Sequence, residues 1–257
     1  MSTILVSDFV ILLLIFARIL SAFVSAPIFS NSAIPTIPKI FISFVVAYVI
    51  FSFIDKSKIV VEFNTWFLVT SLAKEVMIGL IIGYAMNMVF YGISFAGSLI
   101  GFDIGLSSAQ LLNPFEEAES NVVGDVIYFM AILIFLLING HHYLIRALYT
   151  SFKIVPLGHY VINRPLFDVL MKYAASVFVI AIKVASPILV SFFLVHIAEG
   201  IMARVIPQMQ VFFVTQPLKL GLGFALLILA VPAYVYMISG LLGSYEESLY
   251  QLIKAMS

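Results

Sequence analysis

Any acid–base or metal chemistry in this chain has to come from a short list of side chains: four His, thirteen Asp plus Glu and thirteen Lys plus Arg, with no Cys, in 257 residues. His196 stands three residues before Glu199, and His141 adjoins His142. Imidazole and carboxylate together can hold a metal. The His-Glu-x-x-His signature is missing, however, and no second cluster completes a set, so these are read as packed or interfacial histidines. Ser94 sits in Gly92-Ile93-Ser94-Phe95-Ala96-Gly97, superficially like a membrane-buried nucleophile. That stretch departs from G-x-S-x-G, and the nearest bases, His141 and His142, have no carboxylate to orient them. Phosphate-binding loops, dinucleotide fingerprints and calcium loops are also missing. The sequence therefore reads as a non-enzyme without cofactor or metal.

Charge inside apolar stretches is a stronger signal. Arg18, Lys74, Glu75, Lys183 and Glu199 all interrupt hydrophobic runs. An ionisable group in lipid is expensive and demands a partner. Glu199 lies three residues after His196 and five before Arg204; pairing between helices or subunits is preferred over a proton relay. A second pattern is the run of Gly79, Gly83, Gly97, Gly101 and Gly105. Steps of four keep to one helix face, and the residues from 79 to 97 make about five turns. Small residues so spaced let a neighbouring backbone come close, which predicts a tight helix contact. The alternative is chance, since glycine is common in membrane helices, and Gly92 lies off the stripe.

These groups must be positioned by elements suited to lipid. The chain is 63% hydrophobic and 10% charged, with a formal net charge of zero. So few charges cannot coat a soluble protein of this size. Balanced charge without a basic block also speaks against nucleic acid as a partner. Apolar runs cover residues 9–29, 40–54, 66–100, 126–138, 174–197 and 218–242. A membrane crossing takes about 20 residues, so the second and fourth are marginal and the third is too long for one crossing. The first has no Lys or Arg before it, unlike a cleaved signal peptide, and is read as a retained membrane segment.

Pro187 and Pro232 fall within apolar runs, while Pro207 and Pro217 bracket another apolar stretch. Each removes a backbone donor, and lipid supplies no substitute. The expected fold is an all-α integral membrane protein, one domain over residues 1–257. It has about six apolar helical segments, several kinked or hairpin-like, packed in a hetero-oligomer. Residues 75–143 hold no Lys or Arg, which places that stretch away from the cytoplasm and favours both termini inside. The one long polar stretch, 107–125, carries Asn113-Pro114 and three glutamates, Glu116, Glu117 and Glu119.

The most informative stretch is 204–223, where Arg204, Pro207, Gln208, Gln210, Phe212, Phe213, Thr215, Gln216, Pro217 and Lys219 punctuate apolar sequence. It reads as a hairpin suited to meeting another protein, with Arg204, Pro207, Gln208, Phe212, Pro217 and Lys219 at a subunit interface. With Arg18, Pro27, Glu75, Gly79, Gly83, Ala96-Gly97, Asp103, Gly140 and Pro187, it resembles the FliR family of flagellar export proteins and its injectisome counterparts SpaR, YscT and HrcT. Members often carry Asn at the place of Gln210 and Gly near Thr215. The Pro-Leu-Lys form looks nearer the flagellar members.

The resemblance implies a core subunit of the flagellar type III export gate. One copy would close a ring with FliP and FliQ subunits in the bacterial inner membrane, at the flagellar basal body. FlhB would pack on the cytoplasmic side, and unfolded export substrates would pass through. It further implies a FliP-like part over about residues 1–170 and a FliQ-like hairpin over about 171–257, with the core largely lifted out of the bilayer plane. Under this reading Leu112, Pro114 and Phe115 are a candidate plug or gasket, since an apolar constriction closes a pore by dewetting. An exposed surface loop is the alternative. The rival function is a self-contained secondary transporter that uses Glu75, Lys183 and Glu199.

Overall fold

The computed structural model describes residues 2–30, 34–54, 64–106, 122–158, 163–207 and 211–256. Among these the chain is helical throughout, with no strand. The helices are α1 (Ser2–Ser25), α2 (Thr36–Phe53), α3 (Thr65–Ile104), α4 (Val122–Leu137), α5 (Gly140–Ile154), α6 (Arg164–Val205), α7 (Val211–Gly243) and α8 (Tyr245–Ala255). Five segments are long and apolar enough to cross a membrane, and α4 with α5 makes a sixth if that bent pair is one span. This is an all-α membrane protein.

The third apolar run, expected to exceed one crossing, is a single helix of 40 residues, roughly 60 Å at 1.5 Å per residue. It ends at Gly105, whose φ of 89° is the left-handed conformation that favours glycine. There Leu106 N–H bonds back to Gly101 O and Gly105 N–H to Phe102 O, each at 3.0 Å, the reciprocal closure that satisfies a helix's last carbonyls. Between α4 and α5 the chain breaks at Asn139, φ 59°, and asparagine is among the side chains that tolerate this region best.

Pro187 lies inside α6 and Pro217 and Pro232 inside α7. At Pro187 the missing N–H orphans the Lys183 carbonyl. The Ser186 hydroxyl donates to that carbonyl instead, at 2.9 Å, so the helix continues. Pro217 was expected at the edge of a turn between two helices. It sits within α7, because α7 already begins at Val211. Likewise the polar stretch 107–125 is shorter than expected at its end: Val122 to Asp125 form the first turn of α4.

The chain divides into two compact units, each discontinuous in sequence. The first comprises Met1–Met88, Phe135–Ala174 and Leu242–Ser257. Its core is the face of α1 carrying Ile11, Ile15, Ile19 and Ala22, all at most 2% exposed, a helical repeat of three and four. Lys39, Ser43, Ala47 and Ile50 turn the buried face of α2 inward, and Phe16 meets Phe44 edge-on at 6.0 Å. The second unit comprises Val89–Ile134 and Ala175–Leu241. Within it Ile93, Ala96 and Ile100 of α3, Ala131 of α4, and Ala181, Val184, Ala185 and Phe192 of α6 are fully buried.

Candidate functional site

In the first unit the charges of α1 and α3 meet. Arg18 and Glu75 are both 0% exposed, and Arg18 Nε donates to Glu75 Oε2 at 2.6 Å. The remaining guanidinium donors reach Ser151 Oγ and Val155 O, at 3.2 Å each. The Phe152 ring lies 4.2 Å from Arg18 Cζ, a cation–π contact. Glu75 uses its other oxygen to accept the Gly158 N–H at 2.9 Å, and the neighbouring Lys74 donates to Gly158 O at 3.1 Å. A planar fork suits this task, because one guanidinium engages a carboxylate and a carbonyl together. The pair therefore ties α1, α3, the end of α5 and the turn after it. Gly158 takes φ 78° there, again a glycine conformation.

In the second unit a separate cluster joins α3, α6 and α7. Lys219 Nζ lies 2.8 Å from Glu199 Oε2, and His196 Nδ1 3.1 Å from the same oxygen. His196 Nε2 is 3.7 Å from Asp103, and Lys219 Nζ is 3.5 Å from His196 Nδ1. The ammonium thus stands where a metal cation would have to sit between imidazole and carboxylate. Among the described residues no group of three His, Asp or Glu is placed to hold a metal. Beside the cluster Gln216 Nε2 donates to Gly105 O at 2.9 Å, covering the end of α3.

Exchanging Glu199 and Lys219 tests whether charge pairing is what this cluster provides. Lys219→Met should lower the thermal midpoint of the detergent-extracted protein by an amount equivalent to about 1–3 kcal/mol, as a charged partner is lost. The exchange Glu199→Lys with Lys219→Glu should recover most of it. No recovery would mean that a property of one residue, and not the pair, is what counts.

The glycines divide between neighbours. In the first unit a Cβ at Gly79 would strike Ser21 Oγ and the Arg18 carbonyl, and one at Gly83 would strike Ser25 Oγ and the Ala22 carbonyl. In the second, a Cβ at Gly97 would meet Gly124 Cα and, at 2.6 Å, its N, so α3 and α4 pass backbone to backbone. Gly101 is buried, and a Cβ at Gly105 would collide with the Gln216 amide. Gly92, off the stripe, faces Ile180 of α6 at 2.9 Å. One stripe thus serves several partners within the chain.

Of the other residues singled out by sequence, Arg204, Pro207 and Pro217 are exposed. Lys219 is 8% exposed and belongs to the charge cluster. Lys183 is exposed midway along α6. Leu112, Pro114, Phe115 and Gln208 lie outside the described residues, and of Phe212 the structure describes only its place on α7. Sequence reading offered Glu199 its local neighbours and left Arg18 and Glu75 without assigned partners. It missed Ser151, Phe152, Val155 and Gly158, whose one signal was a Pro-Leu-Gly turn at 156–158. It also missed Tyr245, which is buried and donates to the Ala85 carbonyl.

Residues 9–245 match the family described as "Bacterial export proteins, family 1". The chain is 32% identical to the flagellar biosynthetic protein FliR of Bacillus subtilis, over 94% of this chain and 93% of that one. It is 27% identical to FliR of Escherichia coli, covering 84% and 82%, and 28% identical to FliR of Aquifex aeolicus, covering 86% and 85%.

Proposed function

The chain belongs to family 1 of the bacterial export proteins, the FliR family, and from that membership we propose that it helps form the channel through which unfolded flagellar proteins cross the bacterial inner membrane. It is a membrane-embedded subunit of the flagellar export apparatus. Its partners in this reading are FliP, FliQ and FlhB-type subunits at the basal body. Residues 1–170 would serve as the FliP-like part and 171–257 as the FliQ-like hairpin. Its work is packing and gating rather than catalysis, with Leu112, Pro114 and Phe115 as the plug.

One observation carries the proposal of a multi-subunit channel. The exposed Lys183 sits in the middle of α6, flanked by exposed Phe178, Val179, Ile182 and Val190. Among the described residues its ammonium makes no ion pair. A lysine there is costly against lipid and acceptable against a carboxylate or carbonyl of another subunit. Leu218, Leu222, Phe224, Ile228, Leu229 and Val235 of α7 are exposed, which leaves a long apolar flank for the same partners.

The test is extraction of the tagged chain from its membranes followed by mass measurement of the intact particle. A large hetero-oligomer with FliP- and FliQ-type subunits is expected, and its recovery should fall in Lys183→Leu. A monomer or homodimer would overturn the proposal and favour a self-contained transporter. In the same strain, deleting residues 112–118 should make the membrane leak small ions. A tight membrane with normal secretion would remove the plug from this reading.

A further inference from the structure

The first turns of α6, which belong to the first unit, take no part in the clusters above. Asn163 Oδ1 accepts the Leu166 N–H at 3.0 Å, a side-chain cap that fixes where the helix starts. Leu166 is buried, and the Tyr173 ring meets the Tyr245 ring of α8 edge-on at 6.0 Å. Away from these two residues the helix carries Arg164, Phe167, Asp168, Met171 and Lys172, all exposed. Their spacing of three and four puts them on one face. The segment is thus pinned on one side and bare on the other.

Two features of this bare strip point to a ligand. Phe167 and Met171 are 60% and 55% exposed, a ring and a thioether side by side, and both residue types are enriched where proteins meet. Around them Arg164, Asp168 and Lys172 stand four residues apart, cation, anion, cation. Among the described residues none of the three forms an ion pair. An apolar centre flanked by unpaired charges of fixed order is a surface that can select its partner by charge.

Lipid does not fit that surface. α6 has 42 residues, roughly 63 Å at 1.5 Å per residue and so about twice a hydrocarbon core, and its apolar run starts only at residue 174, beyond the strip. Acyl chains cannot solvate three charges, and the central Asp168 repels an anionic headgroup layer. A second copy does not fit either. Two-fold pairing of the strip about Asp168 sets Asp168 against Asp168 and Arg164 against Lys172, like charge throughout. The reverse order of charges does fit. We propose that this strip docks an amphipathic helix of another subunit that carries acid, base and acid at steps of four, with apolar side chains between them over Phe167 and Met171. The inference rests on the multi-subunit reading and adds the chemistry of one partner surface.

The experiment uses the full chain in its extracted complex, with photoreactive p-benzoylphenylalanine in place of Phe167, and the peptide captured on irradiation is sequenced by mass spectrometry. A peptide of another subunit with acid, base and acid four residues apart is expected. Reversing the strip, Arg164→Glu with Asp168→Lys and Lys172→Glu, should lower the yield of that adduct about fivefold at low salt, because three exposed pairs turn from attraction to repulsion. Reversing the three charges of the captured peptide as well should restore it. The thermal midpoint of the chain itself should stay unchanged, as for surface substitutions in general. Capture of lipid or detergent alone, of a second copy of this chain, or of a peptide without that charge order overturns the proposal, as does a yield that the reversal leaves unchanged. If the intact particle is a hetero-oligomer and no subunit peptide is captured, this inference falls while the multi-subunit reading stands. A monomeric particle removes both.

Discussion

Replacing Glu75 with alanine is expected to cost about 3–5 kcal/mol, the range for breaking a buried ion pair by removing one partner. The substitution leaves the Arg18 guanidinium at 0% exposure, and its remaining acceptors among the described residues are neutral, Ser151 Oγ and Val155 O. It also strands the Gly158 N–H, for which Glu75 is the acceptor among the described residues. Both losses act on the same junction of α1, α3 and the turn after α5, so they compound. The double replacement Arg18→Met with Glu75→Gln should be milder, because no uncompensated charge remains and the glutamine oxygen can still accept from Gly158. The expected order of thermal midpoints in detergent is wild type, then the double variant, then Glu75→Ala. Equal midpoints for Glu75→Ala and wild type would show that the pair does not hold this unit together.

That both residues need partners was readable from the chain, since an Arg and a Glu inside apolar runs cannot stay unpaired in lipid. That they need each other was not. They are 57 residues apart, and helices apolar on most faces give no stripe from which to read which side of α1 meets which side of α3. The same limit applied to Glu199. Counting along the helix offered His196 and Arg204, and the first does lie within 3.1 Å. The closest cation among the described residues, however, is Lys219, brought over from α7 at 2.8 Å, a pairing that exists only once α6 and α7 have packed together.

Helical class and membrane character were legible because they follow from composition and from the lengths of the runs. Breaks were legible only in part. Proline marks a lost donor, but whether the helix ends depends on what replaces it. The Ser186 hydroxyl at the Lys183 carbonyl is such a replacement, and α6 runs unbroken through Pro187. Gly105 and Asn139, where the backbone turns left-handed, mark two places where the helices do stop.

Replacing Gly97 with leucine should abolish recovery of the folded protein and its complex while leaving membrane insertion intact. Even alanine there is predicted to be costly, because its Cβ would meet backbone atoms of Gly124 and not the end of a flexible side chain. Backbone cannot move aside without shifting α4, and overpacking of this kind costs about 1–3 kcal/mol or more. Gly221 and Gly240 of α7 make the control, because a Cβ at either meets nothing within 4 Å among the described residues. Alanine at those positions should leave the isolated chain unchanged or raise its stability by about 0.5–1 kcal/mol, the helix-interior difference between the two residues. If Gly240→Ala stabilises the chain yet lowers recovery of the complex, the contact it blocks belongs to another subunit. Wild-type stability and recovery for Gly97→Ala would instead mean that α3 and α4 do not approach backbone to backbone, and the packing role given to this glycine would fall with it.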